Sequence, residues 1–319
     1  MNSFTSAFST KIQDYLTFRR ALGFSNDHEK HLKRFDLFCT EQFPNETILT
    51  REIVCGWFND EIAQGRHCYE NKASAIRLFA QYLGEGAYIL PTEYVPKPPQ
   101  FTPHILTTNE LTRLFYEIDM SNNKNDPFLT DTMRVLFRLL YCCGLRPGEG
   151  RRIKISDIDF VSGEIFIQKS KRNKDRIVVA STEMNRLLKE YHLRRIAITT
   201  DHDTFFIHTS GVPLKEYEIN AYMRNCWRAA NPNVDRKALP QVRPYDLRHL
   251  FASTVLQNWI DDGRDLYAML PYLRAYMGHE RFEDTAYYIH LLPDRLLASP
   301  GVDWDHIDSV GLKEDIWQH

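Results

Sequence analysis

Apolar residues in the first ninety positions recur at helical intervals. In FTSAFSTKIQDYLTFRRALGF, Phe4, Phe8, Ile12, Tyr15, Leu16 and Leu22 lie at roughly helical intervals, and Gly23 follows as a stop. HEKHLKRFDLFCTEQF, LTREIVCGWFNDEIA and NKASAIRLFAQYLGEG continue the pattern. The spacing predicts about four short helices and no strand-like alternation over residues 1–90. Next comes LPTEYVPKPPQFTPHILT, with five prolines between Pro91 and Pro103. Proline at this density stops helices and favours an extended, semi-rigid segment, so residues 91–106 read as a linker.

Beyond the linker, Thr107 and Glu110 form a capping-box pattern that starts a helix. DTMRVLFRLLYCCGL reads as a buried helix. DIDFVSGEIFIQKSKRNKDRIVVAS is an alternating run, a basic turn and a second run, the pattern of a β-hairpin with a long tip. DTFFIHTSG is a further strand candidate, and the remainder to about residue 293 reads as helices. The predicted fold is therefore mainly α with a small antiparallel β-sheet. It has a helical domain over 1–90, a second domain over 107–293, and a tail, 294–319, that keeps apolar residues such as Val302, Trp304 and Trp317.

Length and composition change this picture little. A chain of 319 residues can bury two cores. No apolar run is long enough for a membrane span and the N-terminus has no signal-peptide core, which predicts a cytoplasmic protein. The six cysteines, Cys39, Cys55, Cys68, Cys142, Cys143 and Cys226, include no C-x-x-C pair and read as reduced, buried thiols rather than zinc ligands. The net charge of −2 does not decide for or against nucleic acid, but between Arg146 and Arg176 nine Lys or Arg face five Asp or Glu. A basic surface of this kind suits phosphate contact, and a solvated hairpin tip is the plain alternative.

Candidate chemistry lies in the second domain. CCGLRPGEGRRI sets Arg146 at a junction between a buried helix and one opened by Pro147, with Glu149 three residues on to fix its fork. In RPYDLRHLFAS, Arg248 follows Tyr245 by three positions, which puts both on one helical face, flanked by Asp246 and His249. AYMGHERFEDTAYYIH places His279 after a glycine, with Tyr287 and Tyr288 eight and nine residues later. On a helix only one of the two tyrosines shares a face with Thr285.

GLRPGE, SKRNKDR, YDLRH, MGH and YYIH, in this order over residues 144–290, resemble the tyrosine recombinase (phage integrase) family. The resemblance implies a helical core-binding domain that clamps DNA, followed by an α+β catalytic domain. It makes Arg146 and Arg248 a phosphate clamp, Lys171 of the hairpin a proton donor (with Lys169 and Lys174 as nearby alternatives), His279 a phosphate ligand or proton carrier, and Tyr288 the nucleophile. Glu149, Asp246 and His249 support them. Arg151, Arg152, Lys169, Arg172, Lys174, Arg176 and Arg243 would contact DNA. No metal or other cofactor is implied. The partner is double-stranded DNA, on which monomers assemble as a tetramer at paired sites, and the tail 294–319 would dock on a neighbouring subunit or on its own domain.

Tyr245 stands where the family usually carries histidine, so the acceptor of the Tyr288 proton is an open question. The segment QNWIDDGRDLYAMLPYLRA between Arg248 and His279 is longer than usual, which predicts an enlarged connection near the site. The implied chemistry is attack of Tyr288 on a phosphodiester, giving a 3′-phosphotyrosyl link and a free 5′-hydroxyl. Two fixed guanidiniums would stabilise the transition state, and the cationic pocket is expected to lower the phenol pKa. Three rivals compete with this reading. One is an accessory DNA-binding protein without catalysis, and another is a type IB topoisomerase. The third is a metal-dependent nuclease built on Asp201, His202, Asp203 and His208.

Overall fold

The computed structural model describes residues 4–24, 26–65, 69–96, 103–168, 175–199 and 201–289. The chain divides into two compact units, Met1–Phe101 and Thr102–His319. In the first, four helices pack on one another: α1 (Ser9–Ala21), α2 (Glu29–Gln42), α3 (Arg51–Ala63) and α4 (Tyr69–Leu83). Their inward stripes, including Ile12, Phe35, Trp57 and Phe79, form one core, where Phe35 meets Trp57 edge-on at 5.6 Å. Inside this unit Lys72 and Glu61 form a fully buried ion pair at 2.6 Å.

The second unit begins with α5 (Thr108–Met120), whose N-terminus carries the predicted capping box of Thr107 and Glu110. Its centre is α6 (Pro127–Cys143), buried along most of its length and packed against α5, α8 (Thr182–Ile196) and α10 (Asp246–Asp261). Its apolar residues cover most of the helix and face these neighbours, while Asp131, Arg134 and Arg138 keep one polar side partly in solvent. The five-residue α7 (Pro147–Arg151) follows α6. The hairpin pairs β1 (Glu164–Ile167) with β2 (Arg176–Val179) antiparallel, Ile167 opposite Arg176. Then come α9 (Glu216–Ala229), α11 (Leu266–Met277) and the short α12 (Glu283–Ala286).

Three expectations are corrected. The strand candidate at 203–211 makes only isolated bridges, Lys154 with Thr204 and Ile207 with Pro213. The buried Arg195 guanidinium takes the place of a strand partner, donating to the carbonyls of Thr204 at 2.8 Å and Phe205 at 3.1 Å and to that of His202. The long segment after Arg248 is no enlarged connection. It extends α10 to Asp261 and supplies α11, leaving only residues 262–265 between them. Of the cysteines, Cys142 is exposed and Cys55 half-buried, whereas Cys39, Cys143 and Cys226 are buried; Cys68 lies outside the described residues. No helix among the described residues is long and apolar enough to cross a membrane.

Candidate active site

The turn after α6 sets the first corner. Gly144 caps α6 with φ +59°, and a Cβ there would lie 2.3 Å from the Phe251 ring, so the position needs glycine on both counts. The following residues extend the chain to Arg146, the N-cap of α7. Arg146 donates through Nη1 to Glu149 at 2.8 Å and through Nη2 to the Gly278 carbonyl at 3.2 Å. The predicted Arg146–Glu149 pair is thus present, and Glu149 also accepts both ends of Arg176, at 3.0 and 2.8 Å.

Arg248 is wholly buried on the first turn of α10. Its Nη1 donates to the Gly144 carbonyl at 2.7 Å, and its Nη2 to the Met277 carbonyl at 2.6 Å and to His279 Nε2 at 2.9 Å. It lies 4.0 Å from Glu149. Three guanidiniums therefore surround one carboxylate, which leaves an excess of positive charge at a largely buried site. Burial raises the pKa of Glu149, but hydrogen bonds from Arg176 and Arg146 more than reverse this and bring it down to about 2.

His279 follows the left-handed cap Gly278 of α11. Its Nδ1 lies 2.8 Å from the Thr285 hydroxyl, and its ring stacks on Tyr288 at 5.9 Å and 17°. Burial, helped by Arg248, Arg146 and Arg176, lowers its pKa to about 3, so the ring is neutral. Tyr288 is 2% exposed and packs with Leu256, Leu270, Leu273 and Met277 of α10 and α11. Burial raises the phenol pKa and the nearby positive charge of Arg248 lowers it, yet burial wins and the value is pushed up to about 12. The expected lowering is absent here, because desolvation of the phenolate outweighs the nearby cations. Tyr287 is only half-buried and stands near Arg243.

Tyr245, half-buried at the start of α10, stands near the Arg146 guanidinium. His249, one turn on, has its ring 5.0 Å from Tyr245 and 5.5 Å from Tyr288, and its buried Nδ1 has no hydrogen-bond partner. Burial lowers its pKa to about 4. The buried Asp246 accepts from the backbone and side chain of Arg243 and fixes the entry to α10.

The structure thus brings Arg146, Glu149, Tyr245, Arg248, His249, His279 and Tyr288 into one site. It does not gather all the residues expected on DNA. Arg152 and Arg243 are exposed, but Arg151 turns inward to the Leu214 carbonyl at 2.9 Å, and Arg176 is a largely buried brace between Glu149 and the Tyr276 carbonyl. Lys169, Lys171, Arg172, Lys174 and the tail 294–319 lie outside the described residues. The rival nuclease cluster is dispersed. Asp203 pairs with Lys154 at 2.6 Å, whereas His208 sits between Asp126 and Glu218 at 2.6 and 3.1 Å. Sequence reasoning missed the brace role of Arg176 and the Thr285 contact. The spacing of Thr285, six residues after His279 and three before Tyr288, was the available signal.

Residues 104–295 match the model of the phage integrase family. The putative integrase/recombinase y4rE of Sinorhizobium fredii is 28% identical over 300 residues, covering 91% of this chain and 93% of that protein. The tyrosine recombinase XerC of Oceanobacillus iheyensis is 27% identical, covering 91% and 86%. Among solved structures, the Tn1549 transposon integrase in complex with transposon right-end DNA superposes with a TM-score of 0.64 at 14% identity, covering 87% of this chain and 94% of that one. The XerH site-specific recombinase bound to a palindromic difH substrate gives 0.60 at 18%, covering 92% and 80%. With a family match over most of its length and a clustered set of the motif residues, the chain belongs to the phage integrase family.

Proposed function

We propose that this tyrosine-type DNA recombinase cuts and rejoins duplex DNA at specific sites through a covalent 3′-phosphotyrosyl link on Tyr288. The observation that carries the reading is the convergence of Arg146, Arg248 and His279, from three separate segments, beside one buried phenol. The excess positive charge suits a phosphodiester, and fixed guanidiniums supply the stabilisation of non-bridging oxygens that a metal ion gives other phosphoryl-transfer enzymes. Arg146 and Arg248 hold the phosphate and His279 assists them. Lys171 protonates the departing 5′-oxygen, with Lys169 or Lys174 as the alternative. The 5′-hydroxyl of a second duplex then attacks the phosphotyrosyl bond and releases Tyr288, so no ATP is consumed. Paired DNA sites gather four copies of the chain, with the 294–319 tail docking between neighbours. The protein acts in the cytoplasm on a mobile element.

The test is covalent trapping on nicked duplexes tiled from the DNA flanking the gene, in EDTA and without ATP, with the adduct mapped to the nucleotide. The wild type and Tyr287→Phe form the adduct. Tyr288→Phe binds DNA and forms none. An adduct that persists in Tyr288→Phe would overturn the assignment.

A further inference from the structure

We infer that Thr285 is a positioning residue that fixes the tautomer of His279 and ties it to the turn carrying Tyr288. The inference rests on the proposed function only for its catalytic consequence. Its structural content follows from hydrogen-bond valence.

His279 has two ring nitrogens and both are engaged. Nε2 faces Arg248 Nη2 at 2.9 Å, and Nδ1 faces the Thr285 hydroxyl at 2.8 Å. A guanidinium nitrogen can only donate, so Nε2 must present its lone pair. A neutral imidazole with a lone pair at Nε2 carries its hydrogen at Nδ1, and that hydrogen points at Thr285 Oγ1. The opposite tautomer sets two donors against each other at Nε2, and so does the imidazolium. One protonation state therefore satisfies both contacts, with Thr285 as the acceptor that selects it.

The same threonine holds the tyrosine turn. Thr285 is fully buried on α12, its N–H donates to the Phe282 carbonyl at 2.9 Å, and its own carbonyl accepts from the Tyr288 N–H at 3.1 Å. His279 and Tyr288 are thus connected through one residue as well as by ring stacking. The consequence is chemical. Nε2 reaches the reaction centre unprotonated, with Arg248 on it. When Arg248 turns to a DNA phosphate, that nitrogen becomes a free acceptor at a site where Tyr245 replaces the usual histidine.

The test uses the full-length chain, Thr285→Val, which keeps the shape and removes the hydroxyl, and Thr285→Ser, which restores it. With 15N-histidine labelling, the His279 signals are assigned by their loss in His279→Gln. The wild type and Thr285→Ser show a protonated Nδ1 and an unprotonated Nε2 at pH 7, whereas Thr285→Val shifts toward protonated Nε2 or tautomer averaging. Adduct formation in Thr285→Val slows by about tenfold to a hundredfold, by analogy with the loss of the hydrogen bond that orients a metal-ligating histidine, and Thr285→Ser recovers most of it. A wild type already protonated at Nε2 overturns the inference, as does a Thr285→Val spectrum unchanged in tautomer. If Thr285→Val does not fold, the wild-type and Thr285→Ser spectra still decide. Failure of the wild type to trap DNA would overturn the recombinase chemistry and leave the tautomer result standing.

Discussion

Arg176 grips Glu149 at both oxygens, Nη1 to Oε1 at 3.0 Å and Nη2 to Oε2 at 2.8 Å, while its Nε holds the Tyr276 carbonyl at 2.9 Å. The pair joins β2 to α7 and to the end of α11, the three elements around Arg146. Removing the carboxylate leaves three guanidiniums facing one another. Glu149→Gln should therefore cost about 3–5 kcal/mol, the usual penalty for orphaning a buried charge, read as a drop in urea midpoint. A midpoint within experimental error of wild type would refute it.

Glu149 also sets a pH limit. Its folded pKa of about 2 lies below the ordinary 4.5, so its stabilisation is complete above that ordinary value and is lost as pH falls toward 2. Unfolding free energy should decline through this window by about 3 kcal/mol from this group alone. Glu149→Gln should remove that part of the slope.

His279 and His249 act at milder pH. Both pKa values are depressed, to about 3 and about 4, so the folded chain resists a proton that the unfolded chain accepts below 6.5. Their contribution is full above 6.5 and shrinks as pH falls. Between pH 7 and pH 5 the loss should be on the order of 1 kcal/mol for each, allowing for partial solvent screening. Comparing His279→Gln and His249→Gln with wild type at the two pH values checks this, since each variant should lose less stability on acidification.

Arg248→Lys tests the fork rather than the charge. A single ammonium cannot hold the Gly144 carbonyl, the Met277 carbonyl and His279 Nε2 together. Adduct formation should fall by about 10² to 10³, the usual effect of losing one preorganised donor. A lysine variant within twofold of wild type would show that charge alone suffices.

Gly144→Ala should destabilise the second unit by about 2–4 kcal/mol, combining a left-handed φ with a clash against Phe251. Phe251→Ala in the same chain should recover the steric part but not the backbone part, read by thermal melting of the double variant.

The sequence by itself determined the local elements and the cast of the site. Four N-terminal helices, the Thr107–Glu110 cap and the β1–β2 pairing follow from periodicity and capping, which depend on neighbours a few residues away. The order and spacing of Arg146, Arg248, His279 and Tyr288 were legible for the same reason. Only the tertiary structure decided the rest. Arg176 looks like one more basic residue until Glu149, 27 positions away, turns it inward. Residues 203–211 have a strand's pattern, but Arg195 claims their carbonyls. The Tyr288 phenol is raised rather than lowered because its pKa sums desolvation against charge, and burial arises from residues scattered along α10 and α11. Hydrogen-bond partners and dielectric surroundings are properties of the packed molecule, so no short window of sequence contains them.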